Sequence, residues 1–242
     1  MAPQKWFLRE PSPDAEFRLL CFPYSGCGAS MFRHWPAWLG PVELLAVQPP
    51  WRENRMAEPH FGTYERLAAS FVADAGEYLD RPYGVFGHCG GALPAFETAL
   101  WAAEHGPRPP DRCFVSSQVA PQDGPYGRFL GLAPAELRAE LLDLLASMGA
   151  HEPSGDMVDL VMEVLQADLE TNRRYRREQP ARVPFPLTVL GWRDDAEIPP
   201  ALTRGWAEWG DVGERLLEGT HHTFLRAPEA LRNVLRSDLT GV

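Results

Sequence analysis

A chain of 242 residues, 45% hydrophobic and 23% charged, is long enough to bury a sizeable core and has the balance of a soluble globular enzyme. Its formal charge of −10, from 23 Lys and Arg against 33 Asp and Glu, argues against nucleic acid as a partner, because phosphate binding needs a basic face. No apolar run approaches the roughly 18 residues of a membrane span, and the opening MAPQKWFLREPSPDAEF lacks the apolar core of a signal peptide.

The expectation is therefore a cytoplasmic protein with no membrane contact. Cys21, Cys27, Cys89 and Cys113 are scattered, with no C-x-x-C and no disulfide-dense spacing. No Cys/His quartet has ligand spacing, so no metal is expected.

In chain order, FRLLCF (17–22) predicts a strand that runs into the Gly-rich turn PYSGCGAS and a helix from Ser30. ELLAVQ (43–48) predicts a second strand, stopped by Pro49-Pro50. Across 63–80, Leu67, Phe71, Val72, Ala75 and Leu79 recur at helical spacing. YGVFG (83–87) predicts a third strand, followed by a helix from Gly90 to about Glu104. CFVSS (113–117), LTVLG (187–191) and GERLLEG (213–219) supply further strands, and 225–238 reads as an amphipathic helix. Between Val119 and Pro184 no strand pattern occurs. PAELRAELLDLLASMG and MVDLVMEVLQADLETNRRYRRE carry helical patterning instead, with Pro134 a plausible first helical residue. Apolar strands alternating with helices predict an α/β fold: one domain over 1–242, a mostly parallel central sheet and helices on both faces. The segment 122–183 is then a helical insertion, placed to act as a lid.

The chemistry centres on Gly87-His88-Cys89-Gly90-Gly91, a G-x-S-x-G nucleophile elbow with cysteine in the serine position. A strand precedes it and a helix follows, so the thiol sits at a sharp turn whose crowding calls for glycine. The helix N-terminus behind Cys89 favours a thiolate, and the Gly90 N–H is placed to hold an oxyanion. A nucleophile of this kind needs a base and an orienting acid, and in this fold the chain order is nucleophile, acid, histidine. After LTVLG, WRDDAEIP offers Asp194 and Asp195; after GERLLEG, THHTFL offers His221 and His222. The order alone does not choose within either pair.

Several segments in one order resemble the type II thioesterases of polyketide and nonribosomal peptide assembly lines, within the α/β-hydrolase superfamily. LLCFPYSGCGAS resembles the strand and oxyanion loop usually read as FPYAGG, and VQPPWREN a VQLPGREN-type segment. GHCGGALPAFE resembles GHSMGALLAFE, LQADLETNRRY the LRADF…Y stretch of the lid, and GTHHTFL the motif GGHFFL. The resemblance runs nearly end to end. Laid over GGHFFL, THHTFL implies His222 as the base and puts His221 on a glycine position. A G-x-x-D pattern implies Asp194 as the acid, with Asp195 a rival through its D-x-x-[IV]-P spacing to Ile198-Pro199.

The resemblance also implies oxyanion donors at the Ser25 and Gly90 N–H groups, and a substrate pocket near Tyr24, His88, Trp51 and Cys27. No bound cofactor is implied. The substrate arrives on the phosphopantetheine arm of an acyl or peptidyl carrier protein, and the enzyme is expected to be a monomer. Carrier proteins are acidic, so Arg173, Arg174 and Arg177, with Arg176 beside them and Arg52 and Arg55 further off, form a candidate docking patch.

The chain departs from the family at Cys89 for serine, Gly90 for a frequent Met, Trp51 for glycine before Arg52, and Cys27 for a glycine. A cysteine nucleophile exchanges one thioester for another, so acylation becomes readily reversible and transfer competes with hydrolysis. The leading expectation is a thioesterase that works through a covalent acyl-S-enzyme. The alternatives are an acyl or aminoacyl transferase between carrier thiols, an off-loading cyclase of Dieckmann or lactam-forming type, and a non-catalytic carrier-binding scaffold. The complete order of nucleophile, acid and base argues against the scaffold.

Overall fold

The computed structural model of the protein describes residues 5–147 and 154–241. The strands are β1 (Phe17–Phe22), β2 (Trp38–Leu39), β3 (Val42–Ala46), β4 (Tyr83–His88), β5 (Arg112–Ser116), β6 (Leu187–Trp192) and β7 (Val212–Leu217). They form a seven-stranded sheet in the order β2-β3-β1-β4-β5-β6-β7. Every pairing is parallel except that of β2 with β3.

The helices are α1 (Tyr64–Ala75), α2 (Ala92–His105), α3 (Pro134–Ser147), α4 (Gly155–Arg174) and α5 (Glu229–Thr240). This is the α/β-hydrolase architecture that the sequence resemblance implied. None of the described helices is long and apolar enough to cross a membrane.

Period-2 alternation splits the apolar strands between two cores. Leu20 and Phe22 of β1, Val85 of β4 and Val189 of β6 join Phe71 of α1 and Phe96 of α2 on one face. Leu19 and Cys21, Phe86, and Leu190 and Trp192 join Leu231 and Leu235 of α5 on the other. Both faces are covered, which is why the strands read as near-continuous apolar runs. Phe96 is fully buried, edge-on to Trp206 and Trp209; truncating it costs about 3–5 kcal/mol. A third cluster, including Leu141, Leu145, Val158, Met162 and Leu165, holds α3 against α4 within the insertion between β5 and β6.

Local differences from the sequence expectation have local causes. The helix expected from Ser30 is one 3-10 turn, Ala29–Phe32. The helical pattern over 63–80 divides into α1, capped by the Thr63 side chain, and a 3-10 turn at Gly76–Leu79. The two-residue β2 is too short to leave a periodic signal. α4 stops at Arg174 rather than continuing to Glu178, because Tyr175 turns extended and buries its ring. The Tyr175 hydroxyl then donates to the buried Glu97 on α2 at 2.8 Å. The expected continuation of the first insertion helix to Gly149 lies outside the described residues.

Candidate active site

Cys89 follows β4 directly and adopts φ 47°, the left-handed conformation of a strained elbow. A Cβ on Gly87 would lie 2.1 Å from the Gly91 carbonyl oxygen, and one on Gly91 2.6 Å from that of Phe22. Those two glycines are therefore steric requirements of the turn. Gln118 Nε2 donates to the Cys89 carbonyl at 3.1 Å and fixes the elbow from the β5 side.

Gly90 has a different reason. A Cβ there would meet Ser25 Oγ at 2.1 Å and Ser25 N at 3.0 Å. Ser25 thus occupies the space in which a larger side chain at 90 would begin. The loss of Met at 90 does not simply enlarge the pocket. The two backbones expected to supply oxyanion donors face each other here.

The carboxylate and imidazole that pair in the buried site are Asp195 and His221. His221 Nδ1 lies 2.9 Å from Asp195 Oδ2 and 3.1 Å from Oδ1. Asp195 Oδ1 also accepts from the Glu197 and Ile198 N–H groups, each at 2.9 Å, and Oδ2 from Ser117 Oγ at 2.7 Å. His221 Nε2 lies 2.9 Å from the Tyr24 hydroxyl, and both groups stand within hydrogen-bonding reach of the Cys89 sulfur. Asp194 and His222 do not form this pair. Asp194 is exposed in the turn after β6, whereas the tighter turn from Trp192 O to Asp195 N carries the next carboxylate inward. His222 is half-buried against the Tyr24 and His221 rings.

The reciprocal cap between Thr220 and Thr223 orients the turn so that its first residue, His221, meets the acid. The D-x-x-[IV]-P spacing already favoured Asp195. Anchoring GGHFFL on Gly219, rather than on the trailing Phe-Leu, would have selected His221.

The electrostatics follow the contacts. Burial opposes ionisation of Asp195, but His221, the Ile198 N–H and Ser117 outweigh it and hold the carboxyl below its usual range. Burial also opposes charge on His221, yet Cys89, Asp195 and Glu197 together push the imidazole up to about 10. Burial, with Cys89 and Glu197 nearby, raises the Tyr24 phenol well above its ordinary value, so it stays protonated.

A narrow pocket opens on Cys89, lined by Tyr24, Ser25 and Gly90 on one side and by Phe129, Leu130 and Leu169 of the insertion on the other. Of the residues expected in the pocket, Tyr24 is there. Cys27, Trp51 and His88 are not among its lining residues. His88 is buried beneath the site, stacked on Phe224 at 3.8 Å and bonded to Ser116 Oγ at 2.8 Å; it supports His221 from below. Trp51 takes φ 63°, which accounts for the family's glycine, and packs edge-on to His60. Burial pushes the Cys27 thiol up to about 12.

Sequence reasoning missed Asp168. This buried residue of α4 accepts from the Gly26 N–H at 2.8 Å and from both terminal nitrogens of Arg52 at 2.8 and 2.9 Å. His60 Nε2 lies 2.8 Å from it as well. Arg52 also donates to the Cys27 carbonyl at 3.0 Å. The insertion is thus tied to the loop that carries Ser25. The signal was present in the LQADL segment, where a carboxylate interrupts an otherwise apolar helix face.

The docking patch also changes. Arg52 and Arg55 are buried, and Arg177 makes a two-pronged bond to the buried Glu97 at 2.6 and 2.8 Å. Arg173 and Arg174 remain on the surface, each paired with Glu170.

The thioesterase-domain family model matches residues 17–237. AMB antimetabolite synthetase AmbE of Pseudomonas aeruginosa is 31% identical over 97% of this chain, which spans 11% of that protein's length. Thioesterase PikA5 of Streptomyces venezuelae is 32% identical over 80% of this chain and 70% of its own. RedJ, a thioesterase from the prodiginine biosynthetic pathway in Streptomyces coelicolor, superposes with a TM-score of 0.78 at 30% identity, covering 97% of this chain and 91% of that one. With its nucleophile elbow and its buried acid and histidine in the expected chain order, the chain belongs to the thioesterase family.

Proposed function

We propose that the protein processes acyl thioesters on the carrier proteins of polyketide or nonribosomal peptide biosynthesis, with Cys89 as nucleophile, His221 as base and acid, and Asp195 as its orienting partner. The observation that carries this reading is the chain of contacts from Asp195 through His221 to the Cys89 sulfur at a strained elbow, beside a cavity. The family and the pathway names of AmbE, PikA5 and RedJ support the substrate class.

In the first half-reaction His221 accepts the Cys89 proton. The sulfur attacks the thioester carbonyl, forming the new C–S bond as the carbonyl electron pair moves onto oxygen. The oxyanion faces the Ser25 and Gly90 N–H groups. Collapse restores the carbonyl and breaks the bond to the pantetheine sulfur, which takes its proton from His221. Tyr24, held as a phenol beside Nε2, offers a further donor at the reacting sulfur. In the second half-reaction the attacking group gives its proton to His221 and displaces Cys89.

Hydrolysis is the reading we favour, in keeping with the family. A thioester intermediate also transfers readily to a second carrier thiol, which makes transfer the alternative. Ring closure has less support: the end of β5 bears Ser117 instead of an acid, and Ser117 serves Asp195. The test is mass spectrometry after mixing with acyl-carrier proteins. We expect an acyl group on Cys89 that decays to free acid. Decay only in the presence of a second carrier thiol would make the protein a transferase. Acylation of another residue, or of none, would refute the proposal.

A further inference from the structure

We propose that the pocket is built for acyl groups carrying a protonated amine on the α-carbon, with Glu197 as the ammonium-binding residue. This deepens the acyl-thioester reading above and rests on it.

Glu197 is only 14% exposed, and it lines the cavity that opens on Cys89. Its two carboxylate oxygens face different ways. Oε1 lies 3.5 Å from Arg128, while Oε2 lies 3.7 Å from His221 Nε2, the nitrogen that serves the reacting sulfur. Arg128 is shared, since its other terminal nitrogen pairs with Glu140. The second oxygen therefore presents negative charge on the His221 side of the pocket that Cys89 also lines. The α-substituent of a Cys89 thioester is three bonds from the sulfur and enters that same pocket.

In a water-poor site, a carboxylate–ammonium pair contributes more than it does in solvent.

A second wall residue points the same way. Asn172 is 5% exposed, lines the same cavity, and has a buried Oδ1 that accepts no hydrogen bond from any described residue. Buried acceptors are rarely left unpaired. A ligand bearing several N–H donors satisfies it, whereas a hydrocarbon chain does not. The remaining wall at Phe129, Leu130 and Leu169 is apolar and suits the side chain of a small hydrophobic amino acid.

The test compares alanyl-pantetheine with isobutyryl-pantetheine, in which a methyl group replaces the ammonium at nearly equal size. In the unmodified protein, kcat/KM for the alanyl thioester is expected to exceed that for the isobutyryl thioester by about tenfold or more. Glu197→Gln should reduce that ratio by about tenfold, because the amide keeps the shape and loses the charge. A ratio at or below one in the unmodified protein would overturn the proposal without any variant. An unchanged ratio in Glu197→Gln would overturn the assignment to Glu197. If both thioesters acylate Cys89 with no preference, the ammonium subsite fails while the acyl-thioester reading stands. If neither labels Cys89, both fail together.

Discussion

Two buried aspartates flank the site from opposite sides, and their surroundings are nearly the same. Asp195 accepts backbone N–H groups and pairs with His221. Asp168 accepts a backbone N–H and pairs with His60. The difference lies in what the far nitrogen of each histidine does. His221 Nε2 faces Tyr24 and the Cys89 sulfur. His60 Nδ1 accepts the Gly62 N–H at 3.1 Å and has nothing left to exchange. Asp168 further holds the Arg52 guanidinium. A carboxylate–histidine pair is thus the proposed catalytic unit on one side and an anchor on the other. A search for buried Asp-His pairs alone would return both.

The comparison is broken most severely at the histidines. His221→Ala should lower kcat/KM by about 10⁵-fold or more, as loss of a triad base does, while His222→Ala stays within about tenfold. Steady-state turnover of an acyl-carrier or pantetheine thioester decides it, and equal losses would reject the assignment to His221.

Next come the two acids. Asp195→Asn should cost about 10⁴-fold in kcat with little change in thermal stability, whereas Asp194→Asn on the exposed turn should change neither appreciably. Asp168→Asn should act the other way round. It leaves the buried Arg52 charge without its partner, costing about 3–5 kcal/mol of stability by denaturant titration. Any loss of kcat would come through the Ser25 loop.

The Asp168 contribution has a defined pH dependence. Burial opposes the charged form, but Arg52, His60 and the Gly26 N–H outweigh it and hold the carboxyl at about 2, against roughly 3.9 in an unfolded chain. The native state thus binds its proton less readily. The stabilisation is complete above the unfolded value and disappears as pH falls towards about 2. Asp168→Asn should flatten the acid limb of the stability curve in that window. An unaltered limb would show that other carboxylates govern it. The smallest effect is expected at the surface: Arg174→Glu, which loses exposed contacts with the Glu170 carboxylate and carbonyl, should alter stability by less than about 0.5 kcal/mol.

Much of the fold was legible because β1, β4, β5 and β6 are buried on both faces and therefore read as short apolar runs between helical patterns. The tight turn at Cys89 was legible for a related reason. The elbow needs glycine where a Cβ would strike backbone, and the letters record that steric demand. Asp195 and His221 were harder to find. Adjacent residues in a turn point in opposite directions, and nothing in DD or HH says which member turns inward. The structure decides it through the Trp192–Asp195 turn and the Thr220–Thr223 cap, features of local geometry that composition does not encode. Arg177 was misread for a different reason. A run of arginines looks like one solvated face, but Arg177 belongs to the buried Glu97, 80 residues away in sequence.

That last contact has a mechanical consequence. The chain leaves the insertion with Tyr175 and Arg177 bolted to Glu97 on the helix behind the nucleophile. Seven residues before Tyr175, Asp168 is bolted to the loop that carries Ser25. The trailing end of the insertion is therefore tied at two separate places to the body that carries Ser25 and Cys89, so the end of α4 and those two residues hold one another in register.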